Sequence, residues 1–168
     1  MEYITTAIEI NQKCLQANTV IEIGKFTILW NIFEKEKCQN HCSHSKLVQL
    51  VSNITSDKNW EFLANTLKRR AYLTGGNIHI YIDKGLSMGD GISRPEVKQQ
   101  IIDFINSDGR NSLAGGLHAI YRIRNNLFHG LKSWTDLDSQ IELFMGLNDF
   151  LTYAIQTLER IPLTQTRR

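Results

Sequence analysis

A helical spacing of apolar residues runs through most of the chain, and it constrains the fold more than any other feature. Between about Asn18 and Lys37, apolar side chains recur at three- and four-residue steps, as they do on one face of an α-helix. The members of this face are Val20, Ile21, Ile23, Phe26, Leu29, Trp30 and Phe33. The spacing predicts a first amphipathic helix, which is followed by a polar loop at residues 38–45.

Five more helices are predicted from the same spacing together with capping and breaking residues. They span about residues 46–54, 57–73, 93–105, 112–129 and 135–161. Ser93 and Glu96 have the spacing of a capping box at the start of the fourth helix. Gly130 and Pro162 are typical of positions just after a helix end, and they follow the fifth and sixth helices.

One long loop interrupts the helices. Thr74-Gly75-Gly76 ends the third helix, and the alternating stretch 77–83 that follows is interpreted as an extended connector, because an isolated strand is unstable. The 168 residues fit one domain of common size. We therefore expect a single all-α domain over residues 1–168, a bundle of about five to six helices with one long glycine-containing loop at residues 74–92.

Composition narrows the classes of function. A net charge of +2 is small for a protein that binds nucleic acid through a broad basic surface, so any such contact must be local. The chain has no apolar run of the ~18 residues that a membrane span needs, and its N-terminus does not resemble a signal peptide. Three cysteines, an odd number, fit a reducing compartment better than a disulfide framework. We expect no membrane contact and a cytoplasmic location.

An arginine interrupts the apolar face of the predicted fifth helix. On a helical wheel, Arg124 falls near the middle of the arc formed by Leu113, Leu117, Ile120, Leu127, Phe128 and Leu131. Because a buried, unpaired guanidinium is costly, Arg124 either pairs with a carboxylate such as Glu34 or Asp136, or faces a cleft. The opposite face of the helix carries a polar stripe, formed by His118, Arg122, Asn125 and His129.

The segment that contains this arginine resembles a known motif. Arg124-Asn125-x-x-x-His129, followed by Gly130, is similar to the Arg-polar-x-x-x-His signature of HEPN domains. The segment Phe26-x-x-Leu29-Trp30-x-x-Phe33-Glu34 is similar to the first helix of several HEPN families. The resemblance covers about residues 18–160, and the glycine-containing loop departs from the usual pattern. It implies a HEPN-like helical bundle that dimerises and brings two Arg/His motifs into one cleft.

Such a site implies cleavage of RNA without a metal or other cofactor. In this interpretation His129 takes the proton of a 2′-hydroxyl, Arg124 holds the phosphate, and Asn125 orients His129 or contacts the substrate. Further candidates for substrate binding are Arg122, His118 and Asn126. The implied partners are RNA, a second copy in a homodimer, and a cognate antitoxin or other regulatory protein, as for a toxin or defence effector. The alternative is a catalytically inactive HEPN-like module that binds RNA or a protein partner.

Two other segments contain residue types that are common at binding sites. Cys38-x-x-x-Cys42, with His41 and His44, offers four zinc-ligand types within seven residues. That spacing is too tight for the usual tetrahedral site, so we favour a polar loop over structural zinc. Gly85-x-x-x-Gly89-Asp90-Gly91 lacks the Lys-Ser/Thr of a P-loop, and we interpret it as a flexible loop.

Overall fold

A computed structural model of the chain describes residues 6–10, 13–51, 58–71, 94–110, 113–128 and 136–159. These residues form six α-helices, which confirms the expected all-α bundle. The helices are α1 (Ala17–Cys38), α2 (His44–Val51), α3 (Glu61–Ala71), α4 (Arg94–Asn106), α5 (Leu113–Phe128) and α6 (Ile141–Glu159). A short 3-10 helix, Asp138–Gln140, leads directly into α6.

A two-stranded antiparallel hairpin precedes α1, and the sequence analysis did not predict it. Its strands are β1 (Thr6–Ile10) and β2 (Lys13–Gln16). Leu15 is buried in the main core, and the backbone N–H of Gln16 donates to Asp138 Oδ1 at 3.1 Å. The hairpin is therefore anchored to the start of α6. A pair of short strands is marginal by itself, so local sequence carries only a weak signal for it.

The apolar faces of the helices meet in one core. Phe26 on α1 packs edge-to-face against Phe144 on α6, with ring centroids 5.6 Å apart. Phe104 on α4 packs in the same way against Phe150 on α6, again at 5.6 Å. Burying one such side chain contributes about 1.5–3 kcal/mol to folding. The apolar side chains of α6 are therefore largely buried within the chain.

Helix α5 is mostly buried, with α4 packed along it and α2 packed against it. Two glycines permit this close approach. A Cβ at Gly115 would overlap the backbone carbonyl of Gln100, and a Cβ at Gly116 would lie 2.6 Å from the ring of Phe150. As a result the buried positions of α5 include both apolar residues and members of the polar stripe.

Left-handed residues end two of the helices. After α1, Gln39 and Asn40 have φ of 57° and 63°, and the Asn40 N–H donates to the Glu34 carbonyl at 3.0 Å. After α4, which ends at Asn106 close to the predicted end at about residue 105, the chain turns at Asp108 and Gly109. A Cβ on Gly109 would collide with Trp60, so glycine is required there.

Several predictions fall on parts of the chain outside the described residues. These are the capping residue Ser93, the extended connector at 77–83, the glycine-containing loop at 74–92 and the stop residue Gly130. Of the helices that the structure describes, none is long and apolar enough to cross a membrane.

Candidate functional site

Arg124 lies near the end of α5, where its side chain is mostly enclosed and partly exposed. Its Nη2 lies 3.4 Å from Oε2 of Glu34 on α1, and 27% of the Arg124 side chain is exposed. Its Nη1 donates to Oδ1 of the adjacent Asn125 at 3.0 Å. Of the two carboxylates that the sequence offers as partners for Arg124, the structure places Glu34 beside it. The other, Asp136, is exposed.

Trp30 organises this pair from one turn earlier on α1. Its indole Nε1 donates to Glu34 Oε2 at 3.0 Å, and this is the same oxygen that faces Arg124. The buried indole also stacks on Tyr121 of α5, with ring centroids 5.8 Å apart. The Arg124 Cζ lies 5.7 Å from the Trp30 ring centroid, within the range of a cation–π contact. Trp30 thus helps to position both charged groups.

The ion pair itself is loose. Charge-assisted N–H···O hydrogen bonds are usually about 2.7–2.9 Å long, whereas Arg124 and Glu34 are 3.4 Å apart. Partly exposed pairs of this kind contribute about 0.2–1 kcal/mol to stability. A phosphate oxygen at the usual distance would therefore compete with Glu34 for the guanidinium. The contacts therefore orient the Arg124 guanidinium and leave it able to bind another anion.

His118, one of the predicted substrate-binding residues, is fully buried on the same helix. Its Nε2 lies 2.9 Å from Oε1 of Gln100 on α4, and its Nδ1 lies 2.9 Å from Nδ1 of His44 on α2. With the amide oxygen facing it, His118 Nε2 carries the hydrogen, so its Nδ1 accepts from the Nδ1–H of His44. Burial, with a smaller contribution from the charge of His44, lowers the pKa of His118 to about 3. His118 is therefore neutral near pH 7 and ties three helices together.

The other predicted site residues have different surroundings. Arg122 is buried, and burial lowers the pKa of its guanidinium. Asn125 is half-buried beside Arg124. His129 and the side chain of Asn126 lie outside the described residues. The structure thus brings Arg124 and Asn125 together, places His118 among α2 and α4, and leaves the substrate-binding assignments as predictions.

Sequence reasoning missed two buried polar contacts. The first is the His44–His118 pair, and the second is a direct contact between the thiols of Cys38 and Cys42. The predicted polar loop thus contains three buried residues, Cys38, Cys42 and His44, although His41 in the same segment is exposed. In the part of the chain that the structure describes, no three His, Cys, Asp or Glu side chains converge as metal ligands would.

The described part of the site is therefore a guanidinium that is held in orientation by an amide, a carboxylate and an indole. Its members come from two helices that are distant in sequence, α1 and α5. It can bind an anion through Arg124 and a polar group through Asn125. Comparison of the chain with protein-family models, with curated proteins and with solved structures finds no match.

Proposed function

We propose that the chain is a metal-independent endoribonuclease of the HEPN type, acting as a toxin or defence effector. The observation that carries the proposal is the geometry of Arg124. Its side chain is partly exposed, its guanidinium is oriented by Asn125 and Trp30, and its ion pair with Glu34 is long. A guanidinium that neighbouring groups hold in orientation, on a side chain that is partly open to solvent, is suited to bind an anion such as a phosphate.

In the proposed reaction, RNA supplies its own nucleophile. His129 takes the proton from a 2′-hydroxyl, and that oxygen attacks the adjacent phosphorus. The planar fork of Arg124 binds the non-bridging phosphate oxygens and stabilises the charge that develops on them. The 5′-oxygen then leaves with a proton donated by His129 of a second copy. The products are a 2′,3′-cyclic phosphate and a 5′-hydroxyl.

The proposed homodimer supplies the second histidine. The expected result is a dimer in sedimentation velocity at micromolar protein. A monomer at every concentration that retained RNA cleavage would exclude this part of the proposal.

A second candidate function is an inactive HEPN-like module that binds RNA or a protein partner. The observation that favours it is the presence of Glu34, which already offsets the charge of Arg124. In such a module Arg124 serves mainly to join α1 to α5. The two candidates differ in one outcome, namely whether RNA is broken in a way that depends on His129.

The test is incubation of the purified protein with total cellular RNA in EDTA, followed by gel analysis. His129→Ala is compared with wild type and with His41→Ala, a control that removes an exposed histidine from the loop after α1. Fragments from wild type and His41→Ala, but not from His129→Ala, are expected. RNA that binds the protein yet stays intact in every lane would favour the inactive module.

A further inference from the structure

The thiols of Cys38 and Cys42 lie in direct contact at the end of α1. Their sulfur atoms are 2.9 Å apart, both side chains are buried, and both cysteines are free. Cys38 is the last residue of α1, and the chain then reverses through left-handed Gln39 and Asn40. The His41 N–H closes this turn by donating to the Cys38 carbonyl at 3.1 Å. The turn therefore holds residue 42 against the helix end.

We infer that Cys38 and Cys42 form an oxidisable dithiol, a modification site at which hydrogen peroxide closes a disulfide across the end of α1. An S–S bond is about 2.05 Å long, so the two sulfurs need to approach by only ~0.9 Å from their 2.9 Å separation. Groups held this close react as if at very high concentration. Both side chains are buried, so a small oxidant such as a peroxide suits the site better than a bulky disulfide.

The pair holds its protons tightly, because the hydrogen bond with Cys38, and then burial, raise the pKa of the Cys42 thiol far above its usual range. The first step begins when one of the two thiols releases its proton, since the thiolate is the nucleophile. This thiolate attacks one peroxide oxygen and the O–O bond breaks. The products are a sulfenic acid on the attacking cysteine and a hydroxide ion, which takes up the released proton as a first water.

The second step completes the balance. The sulfur of the other cysteine attacks the sulfenic sulfur, and the hydroxyl of the sulfenic acid leaves with the proton of that second thiol as a second water. Overall, two thiols lose two electrons and two protons, and one hydrogen peroxide is reduced to two waters.

The dithiol borders the site that contains Arg124. The charges of Glu34 and Arg124 both act on Cys42, the first raising and the second lowering its pKa. Cys42 also comes two residues before His44, which begins α2 and hydrogen-bonds to His118. Oxidation thus joins covalently the end of the helix that carries Glu34 to the segment that leads into α2. The inference stands whether or not the chain cleaves RNA.

Peptide mapping tests the inference directly. Trypsin cuts after Lys37 and Lys46, so both cysteines fall in one peptide of residues 38–46, while the exposed Cys14 falls in another. Folded protein is treated with hydrogen peroxide, denatured, alkylated with iodoacetamide and digested. We expect the 38–46 peptide to resist alkylation and to weigh two hydrogens less than its reduced form, with dithiothreitol reversing both. A doubly alkylated 38–46 peptide beside an oxidised Cys14 peptide would overturn the inference.

Single variants test whether the two thiols act as a pair. In Cys42→Ser and in Cys38→Ser a sulfenic acid on the remaining cysteine has no resolving thiol, so we expect dimedone to trap it in peptide 38–46. In wild type we expect the disulfide in place of the dimedone adduct. Dimedone trapping in wild type at the level of the single variants would contradict closure of the disulfide.

Discussion

Acidification is expected to destabilise the fold through His118. In the folded chain, burial and the neighbouring His44 hold the pKa of His118 at about 3, whereas a histidine in the unfolded chain titrates at about 6.5. Below the unfolded value, the unfolded chain binds a proton that the folded chain excludes. The stability contributed by neutral His118 is therefore complete above about pH 6.5 and is lost as the pH falls toward about 3.

The size of this effect follows from linkage. Within that window each pH unit costs about 1.4 kcal/mol, so the free energy of unfolding should fall by about 2 kcal/mol between about pH 7.5 and about pH 5. His118 is fully buried, and its neighbours are the His44 ring, the Gln100 amide and helix backbone. Solvent screening therefore does little to reduce this loss in the free energy of unfolding.

Urea unfolding at these two pH values measures the loss. We compare wild type with His118→Gln, which cannot titrate, and with His41→Gln, which removes an exposed histidine. Groups outside the His44–His118 pair titrate equally in all three proteins, so the difference isolates this pair. Wild type and His41→Gln should lose about 2 kcal/mol more than His118→Gln on acidification. The same loss of unfolding free energy in all three proteins would show that His118 does not cause the pH dependence.

Two further predictions concern packing and the Arg124 site. Glu34→Gln keeps an acceptor for the Trp30 indole and should lower the free energy of unfolding by about 0.2–1 kcal/mol. Glu34→Ala leaves the buried indole N–H unsatisfied and should lower the free energy of unfolding by about 1–3 kcal/mol more. Equal losses for the two variants in urea unfolding would contradict the role of Trp30. Gly115→Ala places a methyl against the Gln100 backbone and should cost about 1–3 kcal/mol. Gly24 lies on an open helix face, and no atom lies within 4 Å of the methyl that Gly24→Ala would add, so this variant should raise the free energy of unfolding by about 0.5–1 kcal/mol. Calorimetry that showed similar melting temperatures for the two alanine variants would contradict the assigned packing.

Periodicity predicted the helices well because each buries one face against a common core. The expected first helix, 18–37, is observed as Ala17–Cys38, and the fifth, 112–129, as Leu113–Phe128. Boundaries set by tertiary contacts were harder to place. The third helix begins at Glu61 rather than at 57, and α6 begins at Ile141, after the short 3-10 helix rather than near 135.

The surroundings of the site were only partly predictable. A helical wheel shows which residues share a face, and it correctly required a partner or a cleft for Arg124. It does not show which neighbour covers each face. Helices α2 and α4 supply the partners of His118, which is buried, and Arg122 of the same stripe is buried as well. The contact between Cys38 and Cys42 depends on two left-handed residues in a turn, and neither is a glycine that would have marked it.

The central claim is that Arg124 acts on RNA rather than serving only to join two helices. Its most direct test is the single-turnover rate of RNA cleavage by Arg124→Ala, measured beside wild type and Arg69→Ala, which removes an exposed arginine from α3. We expect the cleavage rate to fall about 10²–10³-fold in Arg124→Ala and to stay at the wild-type value in Arg69→Ala. The circular dichroism spectra of all three proteins should be the same. Cleavage by Arg124→Ala at the wild-type rate, or no cleavage by wild type under any condition, would contradict this claim.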